Sequence, residues 1–289
     1  MSAATIVIAA HNEEAVIGAT LDALLPQVAV PSDIIVSANG CSDSTAQTAA
    51  SRGVRVIDRS EPGKPGALNA ADALVDGFPC IYLDADIIVP ADGVAKLLEH
   101  VAAHQGVQAV VPERRVVSTA SSWPVKAYFA ISDRLPMFRT GLFGRGMIVL
   151  TREGRERFDS FPPLIADDLF LDSLFTPDQK STAQECVVTI TAPRTTRDLL
   201  NRLIRVRRGN AQLRSAAERG EIAITVRPAD RWSWLRDVVL REPRLAPASI
   251  PYVVITFLAA LRARRTDDSW GRDESTRAAP SSSSRQERS

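Results

Sequence analysis

The stretch TIVIAAHNEE, Thr5–Glu14, sets the frame of this chain. Thr5–Ala10 is a short apolar run with the pattern of a buried strand. Glu13–Leu25 then sets Val16, Ile17, Leu21, Leu24 and Leu25 at helical spacing, and Pro26 closes the region. The same alternation repeats outward. Asp33–Ala38 carries Ile34, Ile35 and Val36, a second strand. Asn39-Gly40 is a turn signal, and Ser42–Ser51 reads as an alanine-rich helix capped by Ser42 or Asp43. Val54–Ile57 is a third strand, and the glycine- and proline-rich loop Glu61–Gly66 leads to a helix over Ala67–Val75. Cys80–Leu83 is a fourth strand, followed by Asp84-Ala85-Asp86, a helix over Ala91–His104 and a strand over Val107–Val111. Strands separated by helices of about ten residues predict βαβ units. The expected fold is α/β, a mostly parallel central sheet with helices on both faces.

Beyond this body the pattern loosens. Trp123–Leu135 reads as helix, Gly141–Leu150 as a glycine loop entering a strand, Asp167–Leu174 as a short helix and Glu185–Ile190 as a strand. Arg194–Ala217 is a long arginine-rich helix, and Ser249–Leu261 is apolar. From Thr266 serine, arginine and acids take over, too little apolar surface to order a segment. Three regions follow: an α/β body over 1–217, a basic and apolar helical extension over 218–265, and a flexible tail over 266–289.

The chain has 289 residues, 45% hydrophobic and 24% charged, which excludes wholesale disorder. A net charge of +1 argues against a nucleic-acid binder. That balance conceals an asymmetry. Residues 1–190 hold 15 basic and 23 acidic side chains, whereas 191–265 hold 16 arginines, no lysine and 6 acids. A basic third on an acidic body points to an anionic partner, a phosphate, lipid headgroup or membrane surface, or else to solvated arginines on helix faces. Cys41, Cys80 and Cys186 stand far apart, excluding a disulfide scaffold or thiolate zinc site and fitting a cytoplasmic protein. The N-terminal run is short and lacks a basic leader, unlike a signal peptide. No apolar stretch reaches the roughly 18 residues of a membrane span. Ser249–Leu261, flanked by Arg241, Arg244, Arg262, Arg264 and Arg265, instead fits a helix lying on the inner face of an anionic membrane. Packing on the domain and dimerisation are the alternatives.

In an open parallel sheet, ligands bind outside the carboxyl ends of the strands. Asp84 and Asp86 fall there, one residue apart. If the strand stays extended, both carboxylates face one ligand and suit Mg²⁺ or Mn²⁺ on a diphosphate; a solvated turn is the alternative. Asp167-Asp168 either cap a helix or supply a general base, Asp168. Lys64 is a solvated loop lysine or a phosphate contact. Gly144 and Gly146 around Arg145 permit close backbone approach to a ligand, or form an ordinary turn.

In order and spacing, these pieces resemble the family 2 glycosyltransferases of the GT-A fold, from Thr5 to Gly209. Ile6–Glu14 is similar to the family's first-strand nucleotide motif, which implies donor contacts from Ala9, His11 and Glu13, with His11 stacking where many members carry tyrosine. Ser37–Thr45 resembles the segment that reads the nucleobase, with Asn39 in place of a common aspartate. Lys64 with Gly66-Ala67-Leu68-Asn69 resembles a G-K-x-x-A-L-N element along the nucleotide-sugar cleft. Asp84-Ala85-Asp86 is similar to the D-x-D motif, implying Asp84 near ribose or metal and Asp86 as metal ligand. Gly144-Arg145-Gly146 resembles the loop gating the acceptor. Asp167-Asp168 resembles the E-D pair, with Asp167 toward the acceptor and Asp168 as catalytic base. Arg202–Val206 occupies the place of the Q-x-x-R-W of processive synthases without its Gln and Trp, which implies single transfers; Arg205 and Arg208 would offset diphosphate charge. The late histidine that some relatives use as a metal ligand has no counterpart, since only His11, His100 and His104 are present. Trp270–Arg277 resembles a tail signature of polysaccharide-pathway members, implying a role in cell-envelope glycan assembly.

The resemblance thus implies an inverting, non-processive transfer dependent on Mn²⁺ or Mg²⁺, from a nucleotide-sugar donor, most often UDP-based, to a hydroxyl acceptor such as a lipid-linked glycan. A nucleotidyltransferase would show a G-x-G-T-R loop after the first strand. A non-catalytic sugar-nucleotide-binding protein would have Asp168 dispensable. A Rossmann dehydrogenase is excluded by the missing G-x-G-x-x-G.

Overall fold

The computed structural model describes residues 4–264 except Ala229; Trp270–Arg277 and the expected tail lie outside the described residues. Among the described residues, seven strands form one sheet: β1 Thr5–Ala10, β2 Ile34–Asn39, β3 Arg55–Arg59, β4 Cys80–Asp84, β5 Ala109–Val117, β6 Met147–Leu150 and β7 Lys180–Thr191. Ten α-helices accompany them: α1 Glu14–Leu24, α2 Thr45–Ala50, α3 Lys64–Asp72, α4 Gly93–Ala103, α5 Trp123–Ser132, α6 Met137–Thr140, α7 Arg152–Arg155, α8 Asp167–Ser173, α9 Thr196–Glu218 and α10 Ala246–Ala263. Strand order is β3-β2-β1-β4-β6-β5-β7, parallel except for β6, which runs against β4 and β5. The α/β expectation with a mostly parallel sheet therefore holds.

Both faces of the central strands are covered, which is why they read as unbroken apolar runs. Ile6, Ile8, Val36, Ile81 and Leu83 point into one layer with Ile17, Leu21, Val94 and Leu97 of α1 and α4. Val7, Ile35 and Tyr82 point into the other, with Leu68 and Ala71 of α3 and Leu169–Leu171 of α8. A third core lies beyond the sheet, where Val125 and Ile131 of α5 meet Leu199 of α9 and Tyr252, Ile255 and Ala259 of α10.

Some boundaries differ from the sequence reading, each for a local reason. α3 begins at Lys64 rather than Ala67, because Pro65 in the first turn starts a helix instead of prolonging the loop. α2 begins after Ser44, and Asp43 accepts from the Thr45 amide beside it. β7 runs from Lys180, and only its second half was apolar enough to be read. α10 is longer than Ser249–Leu261. With the turn before it, Pro243–Ala263 spans 21 residues and is long and apolar enough to cross a membrane, so the expectation that no segment reaches that length is corrected. Here one face of α10 packs on α5 and α9.

A buried ion pair locks α8 to the sheet. Lys180 Nζ sits 2.8 Å from Asp172 Oδ1, the two side chains 3% and 4% exposed, and the same oxygen accepts from the Leu142 amide at 2.9 Å. Asp172→Asn keeps an acceptor for that amide but strands the lysine charge. Urea denaturation is expected to show a loss of about 3–5 kcal/mol, far more than an exposed pair would lose.

Candidate active site

The carboxyl ends of β1, β2 and β4 share one edge with the start of the reversed β6. β6 brings the 144–146 glycine loop there: the Asp84 amide donates to the Gly146 carbonyl at 2.8 Å. Gly146 has φ +66, and a Cβ at this position would stand 2.6 Å from Cγ1 of Ile87 and 3.2 Å from Oδ2 of Asp84. Only glycine allows the loop to lie this close to the acid.

Lys64 is the central cation. Its Nζ lies 2.7 Å from Asp84 Oδ1 and 2.8 Å from Asp167 Oδ2, joining the end of β4 to the start of α8. The first turn of α3, rather than a loop, carries Lys64 and aims it between two carboxylates, with its side chain still 39% exposed. Lys64 holds Asp84 below the usual carboxylate range, and Arg205 and Arg202 of α9 add to the effect. Burial would push the Lys64 amine down, but the two carboxylates outweigh it and the net shift is upward. The strand does not stay extended to Asp86. The Ile87 amide donates to the Asp84 carbonyl, so the chain turns there and Asp86 is exposed at the turn. Strand alternation therefore does not align Asp84 with Asp86, although both residues remain at the same strand end.

Asp168, half-buried beside this triad, accepts from the Leu169 amide at 2.8 Å. Burial first, and the neighbouring Asp167 second, raise its carboxyl to about 6. The loop leading to α8 is clamped by Asn69. Its amide donates to the Phe161 carbonyl at 3.0 Å and accepts from the Phe161 amide at 2.7 Å. Asn69 stood in a quoted motif, but no spacing shows that its partner lies so far along the chain.

Two residues expected to contact a ligand have internal partners in this structure. Asn39 is buried, its Nδ2 donating to the Ala10 carbonyl at 2.7 Å and its Oδ1 accepting from the Gly63 amide at 2.9 Å. Its amide ties three loops together rather than facing a base. Arg145 is 1% exposed, and its guanidinium donates to the carbonyls of Pro112, Phe138, Gly141 and Phe143. That charge is spent inside the loop, and burial lowers it to about 10. His11 is half-buried and tethered through Nδ1 to the Asn39 carbonyl. Glu13 is buried at the cap of α1, its amide donating to Thr45 Oγ1 at 2.7 Å, while Ala9 pairs in register with Asp84. Gly144 takes φ +73, and its carbonyl accepts from Arg114. Arg114 went unread in the sequence. It pairs with Asp133 at 2.8 Å and lies 3.9 Å over the Phe138 ring, bracing the loop from β5. Arg208 stands one turn beyond Arg205 on α9.

The donors present fit a divalent cation delivered with a diphosphate. Asp84 and Asp86 offer hard oxygens, and Mg²⁺ or Mn²⁺ commonly takes its remaining ligands from phosphate and water. Among the described residues, no group of three or more His, Cys, Asp or Glu is placed to hold an ion alone.

The family model for Glycosyl transferase family 2 matches residues 5–154. The chain belongs to that family. No curated protein matches it. Among solved structures, a mannosyltransferase from Pyrobaculum calidifontis in complex with GDP-Man and Mn²⁺ superposes with a TM-score of 0.59 at 20% identity, over 91% of this chain and 79% of that one. Glucosyl-3-phosphoglycerate synthase from Mycobacterium tuberculosis, in complex with Mg²⁺ and UDP, gives 0.54 at 21% identity, over 79% and 88%. These likenesses establish the GT-A fold.

Gly146→Ala is expected to cost about 1–3 kcal/mol in denaturation, because positive φ and the contact with Ile87 are both violated. It should displace the Asp84 carboxylate as well, whereas Gly220→Ala, with φ +72 and open space around it, should show the backbone cost alone.

Proposed function

We propose that this glycosyltransferase moves one sugar per binding event from a nucleoside-diphosphate donor, UDP-linked by preference, to a hydroxyl acceptor, with inversion. The observation that carries the reading is Asp168, a half-buried carboxyl raised to about 6, beside Asp84, which Lys64 holds ionised. A base poised near neutrality takes the acceptor's proton while the hydroxyl oxygen bonds to the anomeric carbon and the bond to the diphosphate breaks. One displacement inverts the centre, so no second carboxylate nucleophile is required. Asp84 and Asp86 would hold a divalent cation, which supplies charge compensation for the leaving diphosphate. Arg205, near enough to influence Asp84, and Arg208 after it add positive charge on the same side. Lys64 stays protonated and fixes Asp84 relative to α8. Ala9, His11 and Glu13 would form the donor side, and Gly144, Gly146 and Asp167 the acceptor side. We assign catalysis to 1–217 and membrane-face attachment to 218–265, with the enzyme acting on cell-envelope glycan precursors at the cytoplasmic surface.

Three measurements test this reading. In calorimetry of UDP with and without Mn²⁺, Asp86→Ala should lose the metal-dependent gain; equal enhancement in variant and wild type removes Asp86 as a ligand. Asp168→Asn should bind UDP normally yet transfer about 10²–10⁴-fold more slowly, and wild-type turnover would exclude it as the base. The base works deprotonated, so the rate should be level at neutral pH and above and fall as pH drops to about 6 and below. A bound cation favours the carboxylate and moves that fall to lower pH.

A further inference from the structure

Between α9 and α10 runs a groove of about 360 Å³ lined by Arg207, Arg208, Gln212 and Arg264 over a floor of alanines, and among the described residues no acidic side chain stands in its wall. Arg205, Arg208 and Gln212 follow at i, i+3 and i+7, so one face of α9 leads from the neighbourhood of Asp84 into this groove. The other wall continues differently. On α10, Ile250, Val253 and Phe257 are 69%, 40% and 59% exposed and stand at i, i+3 and i+7; Arg264 lies two turns further on the same stripe. Tyr252, Ile255 and Ala259 are buried on the opposite side. No charge interrupts α10 before Arg262. An apolar stripe therefore ends in an arginine groove, and the arginines lead on toward the acidic edge.

We propose that this groove binds the phosphate or diphosphate head of a lipid-linked acceptor, with the lipid chain along the exposed stripe of α10. The proposal rests on the transfer reading and names the chemical class of its acceptor. Guanidinium pairs suit phosphate oxygens, and Arg205, one turn before Arg208, carries the positive face on to the neighbourhood of Asp84. The charge complementarity chooses the occupant: a second copy docking on the stripe would leave the arginine groove unused.

Calorimetry with dodecyl phosphate below its micelle concentration, inorganic phosphate and dodecyl maltoside separates the sources. The full-length protein should bind dodecyl phosphate at least about tenfold more tightly than either control. Arg207→Ala with Arg264→Glu should bring that affinity down to the maltoside level, and Val253→Ser with Phe257→Ser down to the phosphate level. Arg264→Glu alone, at the helix end, should already weaken binding, which guards against a misfolded double variant. UDP binding with Mn²⁺ should stay unchanged in every variant. Equal affinity for inorganic phosphate would reduce the groove to a free-phosphate site and overturn the lipid assignment. Equal affinity for the maltoside, or no dodecyl phosphate binding, would overturn the site itself. So would a wild-type dimer that Phe257→Ser makes monomeric in sedimentation. Loss of UDP binding in a wild type that still binds dodecyl phosphate would instead sink the transfer reading and leave the anion groove standing.

Discussion

The candidate site depends on one cation held between two acids. Lys64 touches Asp84 at the end of a central strand and Asp167 at the start of a helix more than a hundred residues later. Partly exposed pairs contribute little to stability, about 0–1 kcal/mol each, so the triad is poorly explained as a device for holding the fold. Its effect is electrostatic and geometric. Without the lysine, the aspartates gathered at this strand edge would repel one another. With it, Asp84 stays ionised while Asp168, outside the contact, is left raised by burial. Adjacent carboxyls with opposite tendencies divide the labour of holding charge and taking a proton.

Around this triad the supporting contacts are mostly made by side chains that looked functional in the sequence. Asn39 fastens the loops after β1 and β2 to the start of α3, and Arg145 knots its own loop through backbone carbonyls. A buried guanidinium with several carbonyl acceptors is satisfied, and so tolerable, but it is no longer available to a ligand. The lysine–aspartate pair under α8 acts likewise from below. The edge itself is made by Lys64, Asp84, Asp86 and Asp168, all exposed or half-buried, with the arginine face of α9 alongside.

Much of the fold was legible because it follows from local pattern. Apolar runs of strand length, each followed by a helical period, force parallel βαβ units, and the strand-end acids then fall on one edge by topology. The reversed β6 was legible only as a strand, since direction is set by neighbours across the sheet. The roles of Asn69 and Arg114 were hidden for the same reason, their partners being distant in the chain. The start of α3 lies a few residues earlier than its pattern suggests, and that shift is what brings Lys64 against two carboxylates. The length of α10 was missed because alanine, serine and proline at its ends dilute the apolar signal that its middle carries.

The pairing of β5 with β7 has a break with a long reach. Pro112 pairs with Ala183, but its neighbour Glu113 pairs with Val187, so residues 184–186 bulge out of register. Before the break β5 also pairs with β6; after it β5 and β7 pair with each other as they run on to the segments that launch α5 and α9. Side chains alternate along a strand, so removing one residue from 184–186 would exchange the inward and outward faces of everything up to Thr191. The seat of α9 would turn with them, and its arginines would leave the acids they now influence. The residue count of one irregular stretch of strand thus works as a ruler, setting how far the positive helix stands from the negative edge.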